Sequence, residues 1–310
     1  MTKPNKRHVP VLFQEALDFL SVRPGGTYVD CTLGLAGHAE GIARQLGPAG
    51  HLIGFDRDPE ALDLARTRLA GVCEELGSQA PQVSFVGEAF SHIAEHVAPA
   101  SVDGLLADFG VSSLHFDEAR RGFSFQADGP LDMRMDPRVD TRTQPTAEQV
   151  VNEMSERELA NLIYEYGEER RSRTVARAIV RGRPVTSTVQ LARIVASAVP
   201  PMKYIHPATR TFQALRIFVN RELHEIRALL EAAPQLLKPS ARLVVISFHS
   251  LEDRICKDSF REGAQQGIWK VLTKKPVTAS EEEIDSNPRS RSAKLRAVER
   301  TERQGAGNRE

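Results

Sequence analysis

A short β-type run, Thr27-Tyr28-Val29, opens into Asp30-Cys31-Thr32-Leu33-Gly34-Leu35-Ala36-Gly37-His38, and the next such run, 51–55, closes on Asp56. Strand, small-residue loop, helix and a second strand ending in an acid describe a parallel sheet that holds a nucleotide-like ligand beyond the carboxyl ends of its strands. Small side chains at Gly34, Ala36 and Gly37 let the backbone approach such a ligand, and a carboxylate at Asp56 accepts both hydroxyls of a ribose. The loop opens with an acid, Asp30. That charge repels a pyrophosphate and attracts the ammonium and sulfonium groups of S-adenosylmethionine, so the loop suits a methyl donor better than a dinucleotide.

Strand-like runs continue at 82–86, 102–108 and 242–248. Helical spacing separates the early ones, as in 59–69, where Leu62, Ala65, Arg66 and Leu69 recur behind a capping Asp58 and a first-turn Pro59. The alternation predicts an α/β protein with a doubly wound, parallel-type sheet. After Asp108 it stops, and helical patterns follow at 156–166, 170–180 and 188–199, the last ended by Pro200-Pro201. The expected organisation is a sheet domain in two parts, 1–136 and 206–310, around an inserted helical, substrate-binding domain at 137–205. The second part reads as a long helix at 207–233, the strand at 242–248, a helix at 251–262 and a basic, polar tail beyond Asn287.

Cysteine usage and charge narrow the setting. Cys31, Cys73 and Cys256 are dispersed and odd in number, which argues against a disulfide framework or a cysteine zinc site and points to a reducing cytoplasm. No signal-like start and no run of bilayer length is present, so secretion and membrane insertion are not expected, and no obligate protein partner is indicated. Net charge is zero, yet from Arg170 to Arg221 there are eleven basic residues and no acid, among them Arg171, Arg173, Arg177, Lys203 and Arg210. This stretch is either a phosphate-binding surface or a set of solvated helix faces pairing with Glu153, Glu156, Glu158, Glu165, Glu168 and Glu169 just before it. Arg289, Arg291, Lys294, Arg296 and Arg300 add a second basic group near the end, able to meet the same polyanion.

Asp108-Phe109-Gly110-Val111 ends an apolar strand. An exocyclic base amine is a poor nucleophile because its lone pair is conjugated into the ring, and a carboxylate drawing on its hydrogens favours the reactive geometry, with an aromatic such as Phe109 to stack the base. The other reading of Asp108 is a helix cap. Three long aperiodic stretches give context: Val111-Ser112-Ser113 through Arg121-Gly122-Phe123-Ser124-Phe125 to Asp128-Gly129-Pro130-Leu131-Asp132-Met133-Arg134-Met135-Asp136; His206-Pro207-Ala208-Thr209-Arg210-Thr211-Phe212-Gln213-Ala214-Leu215-Arg216; and Ile246-Ser247-Phe248-His249-Ser250-Leu251-Glu252-Asp253-Arg254.

Together with His8-Val9-Pro10-Val11-Leu12 and Asn287-Pro288-Arg289-Ser290-Arg291-Ser292-Ala293-Lys294-Leu295-Arg296, these segments resemble the ribosomal RNA small subunit methyltransferase H family, over about 8–300. The resemblance implies a Rossmann-like class I methyltransferase fold with an inserted helical domain. It implies bacterial cytoplasmic enzymes that methylate the exocyclic N4 of a cytidine in the decoding region of 16S rRNA, with S-adenosylmethionine as donor. The donor positions it implies are Ala36, Gly37, His38, Asp56 for the ribose, Phe90 beside the adenine, Asp108 and His115. Two depart from the family pattern: Ala36 stands where Gly is usual, and Leu114-His115 where Pro-Gln is usual. A methyl group at position 36 is tolerated in ordinary backbone and strained in a left-handed one. His115 still donates or accepts one hydrogen bond.

Asp108, Phe109 and His249 are the candidate catalytic residues, His249 being either a base or a structural hydrogen-bonder. Arg134, Arg171, Arg173, Arg177 and Arg210 are the candidates for rRNA phosphates, with the target cytidine unstacked to reach the donor. Two other readings share features with this one: a DNA cytosine-N4 methyltransferase, and a non-catalytic S-adenosylmethionine-dependent RNA-binding module, which Asp108 disfavours.

Overall fold

The computed structural model describes residues 10–201 and 205–302, so His8, Val9 and Lys203 lie outside the described residues. The chain divides into two compact units, one of Met1–Gly110 with His224–Glu310 and one of Val111–Leu223. The second unit takes in the expected helical segment 137–205 and also the residues on either side of it.

The first unit is built on a seven-stranded sheet: β1 Thr27–Asp30, β2 His51–Phe55, β3 Gln82–Val86, β4 Val102–Asp108, β5 Leu237–Ser247, β6 Trp269–Val271 and β7 Lys294–Arg300, in the order β3-β2-β1-β4-β5-β7-β6. Strands β1 to β5 pair in parallel and β7 runs antiparallel to both neighbours. The α/β class and doubly wound sheet expected from the sequence are present. The central strands β4 and β5 are buried runs of Leu105, Leu106, Ala107 and Leu243, Val244, Val245, Ile246, as a parallel sheet covered on both faces requires. The winding reverses between β1 and β4, which lie side by side, so the ends of these two strands flank the crevice where open α/β sheets hold ligands.

Helices α1 Phe13–Leu20, α2 Gly37–Leu46, α3 Pro59–Leu76 and α4 Ile93–His96 belong to this unit. Leu17, Leu20, Ile42, Leu46 and Leu69 turn into one core with Leu52, Val244 and Leu295. Asp58 caps α3 by accepting the Glu60 N–H, with Pro59 in the first turn, as the sequence predicts. The second unit contains α5 Ser113–Asp117, α6 Ala147–Glu153, α7 Glu156–Gly167, α8 Ser172–Arg181, α9 Thr188–Ala198 and α10 Thr209–Asn220. Its own core includes Met133, Val151, Ile163, Ile179, Val195 and Leu215. α11 Glu222–Leu236 carries the chain back to the sheet, followed by α12 Ser250–Gln265 and α13 Glu281–Ser286. No helix among the described residues is long and apolar enough to cross a membrane.

Two sequence expectations are corrected. The long helix at 207–233 is two helices, α10 and α11, parted at Arg221, whose φ of 51° is left-handed. No glycine or proline marks the break. It follows Asn220, whose side chain donates to Met133 O (2.7 Å) and accepts from the Met135 N–H (2.9 Å), anchoring the aperiodic 123–136 stretch. The basic tail is also no tail: 294–300 is β7, inside the sheet. Its charges are spent within the fold, Lys294 and Arg296 on Asp253 (3.2 and 2.7 Å) and Arg300 on the carbonyls of Pro234 and Ile268.

Candidate active site

The loop after β1 is tied to the end of β2. Leu33 N–H donates to Phe55 O (2.8 Å), Gly34 N–H to Asp56 Oδ2 (2.8 Å), and Asp58 N–H to Asp56 Oδ1 (2.8 Å). Asp56 therefore braces two loops while standing partly exposed, and a carboxylate is the acceptor that a ribose hydroxyl requires.

Gly34 and Ala36 differ in what their backbone costs, although both are left-handed, at φ 50° and 58°.

 For Ala36, which precedes α2, that conformation strains the side chain as the sequence argument anticipated, since an L-residue there costs about 1–2 kcal/mol. Ala36→Gly is therefore expected to raise stability by about 1 kcal/mol, seen as a higher urea midpoint with an unchanged slope. A lower midpoint would mean that the buried Cβ of Ala36 contributes more by packing than its backbone costs. Gly37 is small for a different reason from the one expected: a Cβ there would lie 2.3 Å from Pro10 Cγ, so its space is taken by the protein itself.

His38 is buried, its ring stacked on Phe13 at 6.0 Å and its Nε2 3.1 Å from Val11 O. Its Nδ1 points toward Asp108, 3.7 Å from Oδ2. Asp108 ends β4, its N–H donating to Thr32 Oγ1 (2.6 Å). The Asp108 side chain is 24% exposed, yet Oδ1 is buried and has no hydrogen-bond partner among the described residues. Burial pushes its carboxyl well above the usual range, and the charges of Asp30 and Glu252 push the same way. Asp30, buried at the end of β1, accepts the Thr32 N–H through Oδ1 (3.1 Å). Its carboxyl is pushed up to about 7 by burial, with Asp56 adding to the shift. Acids thus converge where the strand order reverses, and the orphaned Asp108 oxygen offers an acceptor. This donor and charge set fits the cationic S-adenosylmethionine.

Phe90 follows β3 and is partly exposed, its ring centroid 6.0 Å from that of Phe109. Phe109, expected to stack the target base, is only 2% exposed and serves as the wall behind Phe90. His249 is a helix cap: its Nδ1 accepts the Glu252 N–H (3.4 Å), while Glu252 Oε2 accepts the N–H groups of Phe248 (2.7 Å) and His249 (3.3 Å). Its Nε2 lies 3.1 Å from Glu252 Oε1. The cap engages Nδ1, whereas the buried Nε2 makes no hydrogen bond among the described residues, so His249 has the structural role without losing the nitrogen a base would use. Glu252, fully buried, escaped the sequence analysis; an acid three residues after a strand-ending polar residue is the capping-box signal that identifies it.

The remaining candidates belong to the second unit. His115 is buried in α5, its Nδ1 accepting the Ser112 N–H (3.1 Å) and its ring 4.8 Å from Phe123. Arg134 does not offer its charge to solvent: it is 7% exposed, paired with Asp132 at 2.6 Å and donating to Val139 O. Arg210 is half-buried and donates to Glu168 O (3.1 Å). Arg171, Arg173 and Arg177 are exposed at the start and along α8. Arg173 reaches Asn161 Oδ1 (2.8 Å) and Arg177 reaches Glu156 (3.3 Å), so pairing with the preceding acidic stretch occurs at one of the three.

The profile of the MraW methylase family matches residues 5–301. The chain is 66% identical over 297 residues to a protein of Acidobacterium capsulatum named Ribosomal RNA small subunit methyltransferase H, covering 95% of this chain and 99% of that one. A protein of the same name from Koribacter versatilis is 59% identical over 297 residues, covering 94% of each chain. A third so named, from Solibacter usitatus, is 50% identical over 295 residues, covering 94% of this chain and 99% of the other.

Proposed function

The chain belongs to the MraW methylase family, and from that membership we propose that it methylates the exocyclic N4 of a cytidine in the decoding region of 16S rRNA, with S-adenosylmethionine as the donor. The observation that carries the chemistry is the buried, unpartnered Oδ1 of Asp108 at the end of β4. Positioned against the amine, this oxygen accepts one of its hydrogens, turns the nitrogen lone pair out of conjugation and later stabilises the positive charge that develops on nitrogen. S-adenosylmethionine supplies an electrophilic methyl group on a sulfonium that leaves as a neutral thioether.

Asp56 holds the ribose, Phe90 lies beside the adenine, and His38 limits the positions open to the Asp108 carboxylate. Ala36, Gly34 and Gly37 shape the loop, and His115 completes the donor residues assigned to this chain. Arg171, Arg173, Arg177 and Arg210 are assigned to the rRNA, the first three by their exposure. The site of action is the cytoplasm, where small subunits assemble.

Proton linkage gives this reading a pH signature. The raised carboxyl of Asp30 favours the protonated fold, so its contribution to stability is present below the usual carboxylate range and is lost as pH rises through about 7. A bound sulfonium favours the charged carboxylate. Affinity for S-adenosylmethionine is therefore expected to rise between about pH 6 and 7.5 and to flatten in Asp30→Asn; calorimetry in buffers of different ionisation enthalpy reads both the affinity and the protons released. Equal slopes in the two proteins would remove Asp30 from the site.

Function itself is tested by labelled methyl transfer offered in parallel to small subunits, naked 16S rRNA and plasmid DNA, followed by nucleoside mass spectrometry. N4-methylcytidine in rRNA is expected. Label in DNA alone would establish the DNA methyltransferase, and donor binding without transfer to any substrate would establish the non-catalytic module.

A further inference from the structure

Helices α7 and α8 run alongside each other in opposite directions, since Arg173 bonds Asn161 and Arg177 pairs with Glu156. On α8, Arg173, Arg177 and Arg181 recur at spacings of four, which places them on one helical stripe, with Arg170 in the turn just before it, and all four are exposed. The opposite stripe, Ser172, Val175, Ala176 and Ile179, is buried. Like charges three and four residues apart weaken a helix, and α8 contains no acid to offset them. Arg170 and Arg181 have no carboxylate within ion-pair distance among the described residues.

Beside this stripe stands a large aromatic ring in water. Tyr164 on α7 is 63% exposed, more than any other large hydrophobic side chain among the described residues. It lies one turn beyond Asn161, and the antiparallel register sets it toward the Arg170 end of the stripe. Guanidinium groups in a row with an open aromatic beside them match a strand of phosphates whose bases are free to stack. A duplex keeps its bases stacked on one another and has no free face for Tyr164.

We propose that the α7–α8 face is a platform for an unpaired segment of the substrate RNA, on which Tyr164 stacks a base while Arg170, Arg173, Arg177 and Arg181 track the adjoining phosphates. The identity of that RNA rests on the rRNA methyltransferase reading above. Preference for unpaired RNA is a property of this face.

The test titrates a labelled single-stranded fragment of small-subunit rRNA, and the same fragment annealed to its complement, into the full-length protein across a salt series. Tyr164→Ala is expected to weaken single-strand binding roughly 5- to 100-fold with the salt slope unchanged, because stacking releases no counterions. Tyr164→Phe should bind as the wild type does. Arg173→Gln with Arg177→Gln should instead flatten the slope by up to about 2 units. Donor affinity reports that each variant is folded. Unchanged single-strand affinity in Tyr164→Ala overturns the proposal, as does an equal loss on duplex. Conversion of a dimer to a monomer by Tyr164→Ala, seen in sedimentation with RNA affinity intact, also overturns it and assigns the face to a second copy. Methyl transfer by the wild type to small subunits separates the two ideas: transfer without a Tyr164 effect leaves the function and removes the platform, whereas a Tyr164 effect without transfer to any rRNA does the reverse.

Discussion

Asp108→Ala is expected to lower kcat for methyl transfer by about 10²- to 10⁴-fold while leaving the protein at least as stable as the wild type. The two halves of this expectation have one cause. Oδ1 of Asp108 is buried without a hydrogen-bond partner among the described residues, an arrangement that costs stability in the free protein and is retained because the oxygen has work to do when an amine arrives. Alanine removes the buried carboxyl and its desolvation cost together, and it leaves the backbone N–H on Thr32 in place. A residue that served only as a cap or a structural bridge would give the opposite pattern, lost stability with activity following it down. The measurements are kcat on small subunits with labelled donor, and the thermal midpoint of the same preparations. Near-normal kcat sinks the amine role, and a midpoint several degrees lower shows that the carboxyl is structural.

The parts of the fold that were legible are those where local chemistry and tertiary position agree. Strands β1 to β4 fall at the expected runs, because a doubly covered parallel strand must be apolar throughout and the turns between are rich in glycine, proline and acids. Capping also reads well: Asp58 before Pro59 opens a helix where the sequence places it. The failures have a common cause as well. β7 alternates charge with Leu295 and Ala297, and its charges find Asp253, Arg242, Lys270 and distant carbonyls only once α12 and the sheet are assembled, so in one dimension it reads as a polar tail. The turn at Arg221 depends on Asn220 reaching a loop 85 residues earlier in the chain.

Site legibility follows the same division. Asp30, Asp56 and Asp108 are visible as strand-ending acids, since the ends of parallel strands are where such folds hold ligands. What a side chain does there is less visible. His249 and Phe109 sit where expected and are a cap and a buried wall. Arg134 belongs to a run in which Asp132, Asp136 and Asp140 each hold the arginine two residues on, a pattern present in the sequence and readable as self-pairing. Charge alone does not separate these arginines from those of α8; burial separates Arg134, while Arg138 and Arg142 are exposed and differ by their pairing with the aspartate two residues before.

Asp56→Ala is expected to weaken S-adenosylmethionine binding by roughly 10- to 100-fold, the equivalent of about 1.5–3 kcal/mol for charge-assisted hydrogen bonds to ribose hydroxyls. The structure gives this substitution a second consequence, because the same carboxylate holds the N–H groups of Gly34 and Asp58 at 2.8 Å each. A loss of affinity alone therefore does not distinguish a lost ligand contact from a loosened loop. A thermodynamic cycle does. S-adenosylhomocysteine and its analogue lacking both ribose hydroxyls are titrated into the wild type and into Asp56→Ala. If the carboxylate accepts from the hydroxyls, deleting them costs the wild type most of the expected loss and costs the variant little, since the partner is already gone. If Asp56 only braces the loop, deleting the hydroxyls costs both proteins the same, and the ribose must be held by other groups.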